Sequence, residues 1–191
     1  MYGSEPTYYR GLRFDSKLEV RWARVLDALD VVYVYHPRHA YRWPPAGDAK
    51  TAVHYTPDFW LPASGQFLEA KPFNPFADGD DPRWVQYAAE ALRKAYAVAS
   101  DPQFQGGTFG AVTLQPSAVP PITFLDPDGG LHAVDRHGRP LPDAALYRCR
   151  ACGGGYVDAY PEAAPACPCC GAPVSSDGAD ICRPPLRLGD A

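Results

Sequence analysis

All six cysteines of this 191-residue chain lie between Cys149 and Cys182, and the 148 residues before them contain none. This distribution predicts a main domain that folds by burying apolar residues and a small module that is held together by its cysteines. Hydrophobic residues make up 46% of the chain, which is sufficient for a globular core in the longer part. The sequence therefore predicts two structural units of unequal size.

The boundaries follow from composition. A polar segment rich in turn-forming residues separates the two units and is predicted to be a linker. The predicted organisation is a main domain over residues 1–135, a linker over 136–145, a cysteine module over 146–183 and a loose tail over 184–191.

Net charge and hydropathy limit which nucleic-acid or membrane partners the sequence supports. The formal net charge of -4 does not favour binding to a polyanion, so any contact with nucleic acid would depend on local arginine clusters. Four arginines are the candidates, with scattered solvated charges as the alternative: Arg10, Arg13, Arg148 and Arg150. No apolar run approaches the roughly 18 residues of a membrane helix, and the amino terminus lacks a signal-peptide pattern. We therefore expect a soluble, cytoplasmic protein without a membrane partner.

Local patterns predict the elements of the main domain. The pair Ser16 and Glu19 forms a capping box, and apolar residues at helical spacing follow it, so a helix is expected from Ser16 to about Asp30. A second helix is expected over about 82–99. Strands are predicted at 31–35, 40–43, 52–56, 59–61, 66–71, 108–114, 121–125 and 131–134. This order predicts an α/β fold with a mixed sheet.

Two carboxylates and a lysine have an informative spacing. Pro57-Asp58 is followed, after ten intervening residues, by Glu69-Ala70-Lys71. On a strand, Glu69 and Lys71 project from the same face, and a turn at 62–65 would bring Asp58 back beside them. Such a cluster suits phosphodiester hydrolysis, because carboxylates bind a hard divalent cation and an ammonium can orient the attacking water. The alternative is an exposed ion pair and an aspartate that shapes a turn.

This spacing resembles the PD-(D/E)XK, or restriction-endonuclease-like, nuclease superfamily in its phage and bacterial forms. Residues 9–23, 33–37 and 57–62 are similar to the same group. The resemblance implies a restriction-endonuclease-like core, in which a mixed central sheet is flanked by helices and includes a further core strand near 108–114. It also implies a cytoplasmic location, in a bacterial cell or a phage-infected host.

The same resemblance implies roles for individual residues. Asp58 and Glu69 would bind Mg²⁺ or Mn²⁺ together with the backbone carbonyl of Ala70, and Lys71 would serve the attacking water. Glu19 would assist the metal shell. As the third helical residue of a capping box, however, Glu19 could instead complete the helix cap.

The cysteine module contains two knuckles, Cys149-x-x-Cys152-Gly and Cys167-x-x-Cys170-Gly, separated by fourteen residues. Each knuckle can direct two thiolates to one ion, so the pair predicts a closed, structural Zn²⁺ site. The segment resembles a zinc ribbon. Disulfides are the alternative for six cysteines, but no secretion signal accompanies them. Cys169 and Cys182 have no assigned role.

Together these features predict a metal-dependent DNA endonuclease with a small zinc ribbon that helps to hold substrate, and RNA is not excluded as the substrate. A first alternative is a structure-selective resolvase or nickase that acts as a homodimer. A second is a catalytically silent adaptor that binds nucleic acid or protein.

Overall fold

The computed structural model describes residues 5–37, 41–43, 53–74, 86, 89–90, 93, 108–109, 112–113, 122–133, 140–141, 144–158, 167–172 and 179–182. Over these residues the fold is α/β, with one complete helix and a mixed five-stranded sheet, as the sequence predicts. The elements are β1 (Thr7–Tyr9), β2 (Leu12–Phe14), α1 (Lys17–Ala28), β3 (Val34–Tyr35), β4 (Tyr41–Trp43), β5 (Val53–Tyr55), β6 (Phe59–Leu61), β7 (Gln66–Ala70), β8 (Thr108–Phe109), β9 (Val112–Thr113), β10 (Ile122–Leu125), β11 (Leu131–Ala133), β12 (Ala145–Cys149), β13 (Gly155–Asp158) and β14 (Ala179–Cys182). Within the described ranges, no helix has both the length and the apolar character needed to cross a bilayer.

Helix α1 begins where the capping box predicts. The hydroxyl of Ser16 accepts the backbone N–H of Glu19 at 3.1 Å, which supplies a partner to one of the unpaired amides of the first turn. One face of the helix is buried, including Trp22 and Leu26 at 0% exposure. This face anchors the helix on the sheet.

The central sheet has the strand order β11-β10-β7-β6-β3. Strands β7 and β10 are parallel, whereas the other neighbours are antiparallel. Leu68, Phe59 and Leu125 belong to one apolar core with α1. Because side chains alternate along a strand, Glu69 lies on the opposite side of β7 from Leu68. The sheet thus has one face against α1 and presents the acidic residues on the other.

The structure differs from the predicted elements in three places. The hairpin β1–β2 was not predicted. Residues 108–109 and 112–113 pair with each other as a two-stranded hairpin, and in the described part of the chain they do not join the central sheet, so the expectation of a core strand at 108–114 is wrong. Strand β3 has two residues rather than five. Of the predicted helix over 82–99, residues 86, 89–90 and 93 are helical, and the rest lies outside the described residues.

The cysteine-bearing segment forms a three-stranded sheet of order β13-β12-β14. Leu146 of β12 and Val157 of β13 are buried in the same apolar core as α1 and β6. The segment is therefore packed against the main sheet.

Candidate active site and cysteine cluster

The β6–β7 hairpin positions the predicted acidic residues. Phe59 pairs with Leu68, so Asp58 and Glu69 occupy the next facing positions of the hairpin. The Gly65 N–H donates to the Leu61 carbonyl at 2.8 Å, and Gly65 has a φ of +69°, which is readily adopted by glycine. This tight connection aligns the two strands.

Hydrogen bonds attach Asp58 to the backbone of β7 and Lys71 to Glu69. The backbone N–H of Ala70 donates to Asp58 Oδ2 at 2.8 Å, and Lys71 Nζ donates to Glu69 Oε1 at 2.5 Å. The Lys71 N–H also donates to the Leu125 carbonyl at 2.8 Å, which fixes the end of β7 against β10. We call Asp58, Glu69 and Lys71 the acid–lysine cluster.

The electrostatics of this cluster indicate an excess of negative charge. Burial, together with the nearby carboxylates of Glu69 and Glu19, raises the pKa of Asp58 well above its ordinary value, although Lys71 and the Ala70 amide oppose the shift. Burial lowers the pKa of Lys71, but its hydrogen bond and charge interaction with Glu69 outweigh burial and raise it. A cation that bound here would relieve the repulsion between carboxylates.

Glu19 is committed to local contacts. Its Oε1 accepts the Ser16 hydroxyl at 2.6 Å, and its Oε2 accepts the Asp15 N–H at 3.0 Å and the Tyr35 hydroxyl at 2.7 Å. Among the described residues, the carboxylates of Glu19, Asp58 and Glu69 do not form a set of ligand atoms as tight as that of the cysteines. Glu19 is thus a helix cap whose charge reaches Asp58, and its direct metal role stays a prediction.

Four cysteines form a tight group of ligand atoms. The sulfurs of Cys149, Cys152, Cys167 and Cys170 all lie within 4.8 Å of one another, with Cys149 and Cys170 at 3.8 Å and Cys152 and Cys167 at 4.0 Å. A Zn–S distance of about 2.3 Å places the sulfurs of a tetrahedral site about 3.8 Å apart. The separations therefore fit a four-thiolate site for a metal such as zinc. We call these four residues the cysteine cluster.

Backbone geometry supports the cluster in the same way at both knuckles. The N–H of Gly154 donates to Cys152 Sγ at 3.4 Å, and the N–H of Cys169 donates to Cys167 Sγ at 3.3 Å. Burial raises the pKa of Cys149, but hydrogen bonds from backbone amides and from the Cys167 thiol outweigh it and lower the pKa to about 7. The thiolate is thus more accessible at Cys149 than in an ordinary cysteine, whereas burial raises the pKa of Cys152 and of Cys167.

The four candidate arginines have different surroundings. Arg13 and Arg150 are exposed. Arg10 is also exposed, but its guanidinium lies 3.3 Å from the carboxylate of Asp27. Arg148 forms a 2.6 Å ion pair with Asp30, which follows α1, and so links β12 to the main domain. Of the four, Arg148 has the most evident structural role.

Sequence reasoning missed two contacts near the acid–lysine cluster. The Tyr35 hydroxyl binds Glu19, as described above. The N–H of His36 donates to the Asp58 carbonyl at 2.8 Å, and His36 has a φ of +45°, which is unusual for a residue other than glycine. Backbone strain of this kind cannot be read from a sequence, although residues 33–37 lie in a stretch for which the sequence suggests a family resemblance.

In comparisons with models of protein families, with curated proteins and with solved structures, the chain matches none. Functional inference therefore depends on the residues and contacts described above.

Proposed function

We propose that this chain is a metal-dependent nuclease that hydrolyses phosphodiester bonds of DNA, with the acid–lysine cluster as its active site. One observation carries the proposal: Asp58 and Glu69 face each other across a hairpin, and Lys71 is bonded to Glu69 on the same side of the sheet. Two carboxylates and a backbone carbonyl are ligands that suit a hard divalent cation. An ammonium beside them suits a reaction in which negative charge accumulates on phosphoryl oxygens.

Each residue then has a distinct role. Asp58, Glu69 and the carbonyl of Ala70 would hold Mg²⁺ or Mn²⁺, which when bound supplies Lewis-acid polarisation and a more acidic water. The Ala70 N–H fixes the orientation of the Asp58 carboxylate. Lys71, held by Glu69, orients the attacking water and offsets charge on the phosphate. Glu19 adds negative potential that favours the cation.

The cysteine cluster is proposed to bind a structural Zn²⁺. All four coordination positions are filled by thiolates, so no position remains for substrate or water. Arg13, Arg10 and Arg150 are proposed to contact the phosphates of DNA because they are exposed.

The test is cleavage of supercoiled plasmid, linear duplex, single-stranded DNA and single-stranded RNA with Mg²⁺ or Mn²⁺. Glu69→Gln and Lys71→Met, which keep side-chain size, should lower the cleavage rate by at least about 10²-fold, as removal of one electrostatic group typically does. Asp128→Asn is the matched control, since this exposed acid lies outside the cluster, and it should cleave like the parent.

Other outcomes would contradict the proposed site or favour a different activity or substrate. Cleavage by Glu69→Gln at the parental rate would contradict the site. Cleavage confined to branched or nicked DNA would favour a resolvase or nickase, and cleavage confined to RNA would replace the substrate. Binding without cleavage under every condition would favour a silent adaptor and contradict the nuclease.

A further inference from the structure

A buried amide joins the β6–β7 hairpin to the cysteine-bearing segment. Gln66 is 2% exposed. Its Nε2 donates to the Val157 carbonyl at 2.7 Å, and its Oε1 accepts the Val157 N–H at 2.7 Å. The side chain of Gln66 therefore pairs with both backbone groups of a residue that is 91 positions away in the sequence.

Close packing surrounds this contact. A Cβ added at Gly155 would lie 2.5 Å from Val31 Cγ1, and one added at Gly154 would lie 3.0 Å from the Cβ of Ala63 in the β6–β7 turn. The same added atom at Gly154 would lie 2.8 Å from Cys169 Sγ, so this extra cysteine fills space between the knuckle and the turn. The start of β13 thus fits directly against the hairpin.

The cysteine cluster lies at the same end of β13. Cys149 is the last residue of β12, and the knuckle that contains Cys152 connects it to Gly155, the first residue of β13. The Cys149 N–H donates to the Gly154 carbonyl at 3.0 Å, which closes this connection. An ion held by the cluster would therefore fix the position of β13, and with it that of Val157.

The position of Gln66 affects the acidic residues, because all three belong to the β6–β7 hairpin or directly precede it. Gln66 is the first residue of β7, and Glu69 lies three residues further along the same strand. Strand β6 pairs with β7 over its whole length, and Asp58 directly precedes it. A displacement of Gln66 would therefore change the register or twist of the two strands that carry Asp58 and Glu69.

We infer that Gln66 is a positioning residue that couples metal binding at the cysteine cluster to the order of the β6–β7 hairpin, and so to the placement of Asp58 and Glu69. The inference does not depend on the nuclease activity, because it concerns an energetic coupling between two parts of the fold, but it rests on the proposed Zn²⁺ site at the cysteine cluster. A bound Zn²⁺ then stabilises the acidic hairpin as well as its own segment.

Hydrogen exchange of the intact protein tests this coupling. Cys152→Ser removes an exposed ligand and should release about one zinc. Gln66→Met keeps side-chain length but leaves both Val157 groups without their partner. In both variants, the backbone amides of residues 66–70 should exchange at least tenfold faster than in the zinc-bound parent, while those of β1–β2 should not change.

Ser64→Ala is the matched control, because Ser64 lies in the same turn and its buried hydroxyl makes no hydrogen bond within the described part of the chain. In this variant the backbone amides of residues 66–70 should exchange at the parental rate. Loss of zinc that accelerates exchange only in residues 145–158 would overturn the inference. Parental exchange of residues 66–70 in Gln66→Met would also overturn it.

A second measurement applies if Cys152→Ser does not fold. Coupling is reciprocal, so Gln66→Met should weaken zinc binding relative to Ser64→Ala in competition with a chelator, by about fivefold or more. Equal zinc affinities would overturn the inference. Neither measurement uses nucleic acid, so failure of the coupling is distinguishable from failure of the nuclease proposal.

Discussion

At the scale of single residues, the surroundings of Asp58 disfavour the ionised form of its carboxyl group. Burial and two neighbouring carboxylates raise its pKa well above the ordinary value. The folded protein therefore binds a proton at Asp58 more tightly than the unfolded chain does. The stability that this proton supplies is present at low pH and is lost as pH rises through the raised pKa.

Asp58→Asn should therefore stabilise the protein when no divalent cation is present. At pH 8 we expect its free energy of unfolding to exceed that of the parent by about 1 kcal/mol, a difference that should shrink at lower pH. Urea denaturation at several pH values, without a chelator, measures this. A variant that is less stable than the parent at pH 8 would contradict the electrostatic account.

The contribution of Asp126 to stability depends on pH in the opposite direction. Its Oδ1 accepts the N–H groups of Asp128 and Gly130, each at 2.8 Å, and its Oδ2 lies 2.7 Å from His132 Nε2. Burial raises the pKa of Asp126, but the His132 hydrogen bond and the two amides outweigh it and hold the pKa below the ordinary value of 3.8. This contribution to stability is present above that value and is lost as pH falls through the lower, folded-state pKa.

Asp126→Asn should thus lower the free energy of unfolding at pH 7 by about 1–2 kcal/mol, the typical contribution of hydrogen bonds to a charged group. The difference in free energy of unfolding from the parent should narrow below pH 3.8, where the carboxyl becomes protonated in the unfolded chain before it does so in the folded protein. Denaturation curves between pH 3 and 7 would check this. A difference in free energy of unfolding between parent and variant that does not change with pH would contradict an ionised Asp126.

At the scale of elements, the sequence predicted those elements whose ends are set by residues close together in the chain. Helix α1 follows from Ser16 and Glu19, and the β6–β7 hairpin follows from the turn at 62–65. Hairpin β1–β2 was missed because each of its strands has three residues and its turn places Arg10 at a φ of +49°. The contact of Gln66 with Val157 could not be predicted, because its partner lies far away in the sequence.

Hairpin β1–β2 also supports a prediction about nucleic-acid binding. Tyr8, which is 72% exposed, pairs with the exposed Arg13 on its outer side. Arg13→Ala should weaken binding to duplex DNA and reduce the salt slope by about one counterion. Arg148→Ala should instead lower the free energy of unfolding by about 0.5–1 kcal/mol, because Arg148 pairs with Asp30.

Fluorescence anisotropy across a salt series, together with denaturation curves, separates the two effects. If Arg148→Ala lost DNA affinity as strongly as Arg13→Ala and kept parental stability, the distinction between the two arginines would be wrong.

At the scale of the whole molecule, one apolar core extends through both parts of the chain. Leu146 and Val157 contribute to the core that contains α1 and β6. Gly155 is packed against Val31, which follows α1, and this contact leaves no space for a side chain. We therefore expect the cysteine-bearing segment and the main sheet to unfold together.

Gly155→Ala should destabilise the whole protein. The new methyl group would lie 2.5 Å from Val31 Cγ1, and such overpacking costs about 1–3 kcal/mol. Adding Val31→Ala should recover part of the loss, which a double-mutant cycle by urea denaturation measures. Strictly additive effects of the two substitutions would show that they do not share this contact.

The bond between Gln66 and Val157 also has a consequence for synthesis. A ribosome makes the chain from its amino terminus, so Gln66 leaves the exit tunnel well before its partner, which is 91 residues downstream. During that interval the hairpin that carries the acidic residues lacks its anchor. A nascent or prematurely terminated chain would thus carry an incompletely ordered acidic hairpin until translation has passed the second knuckle.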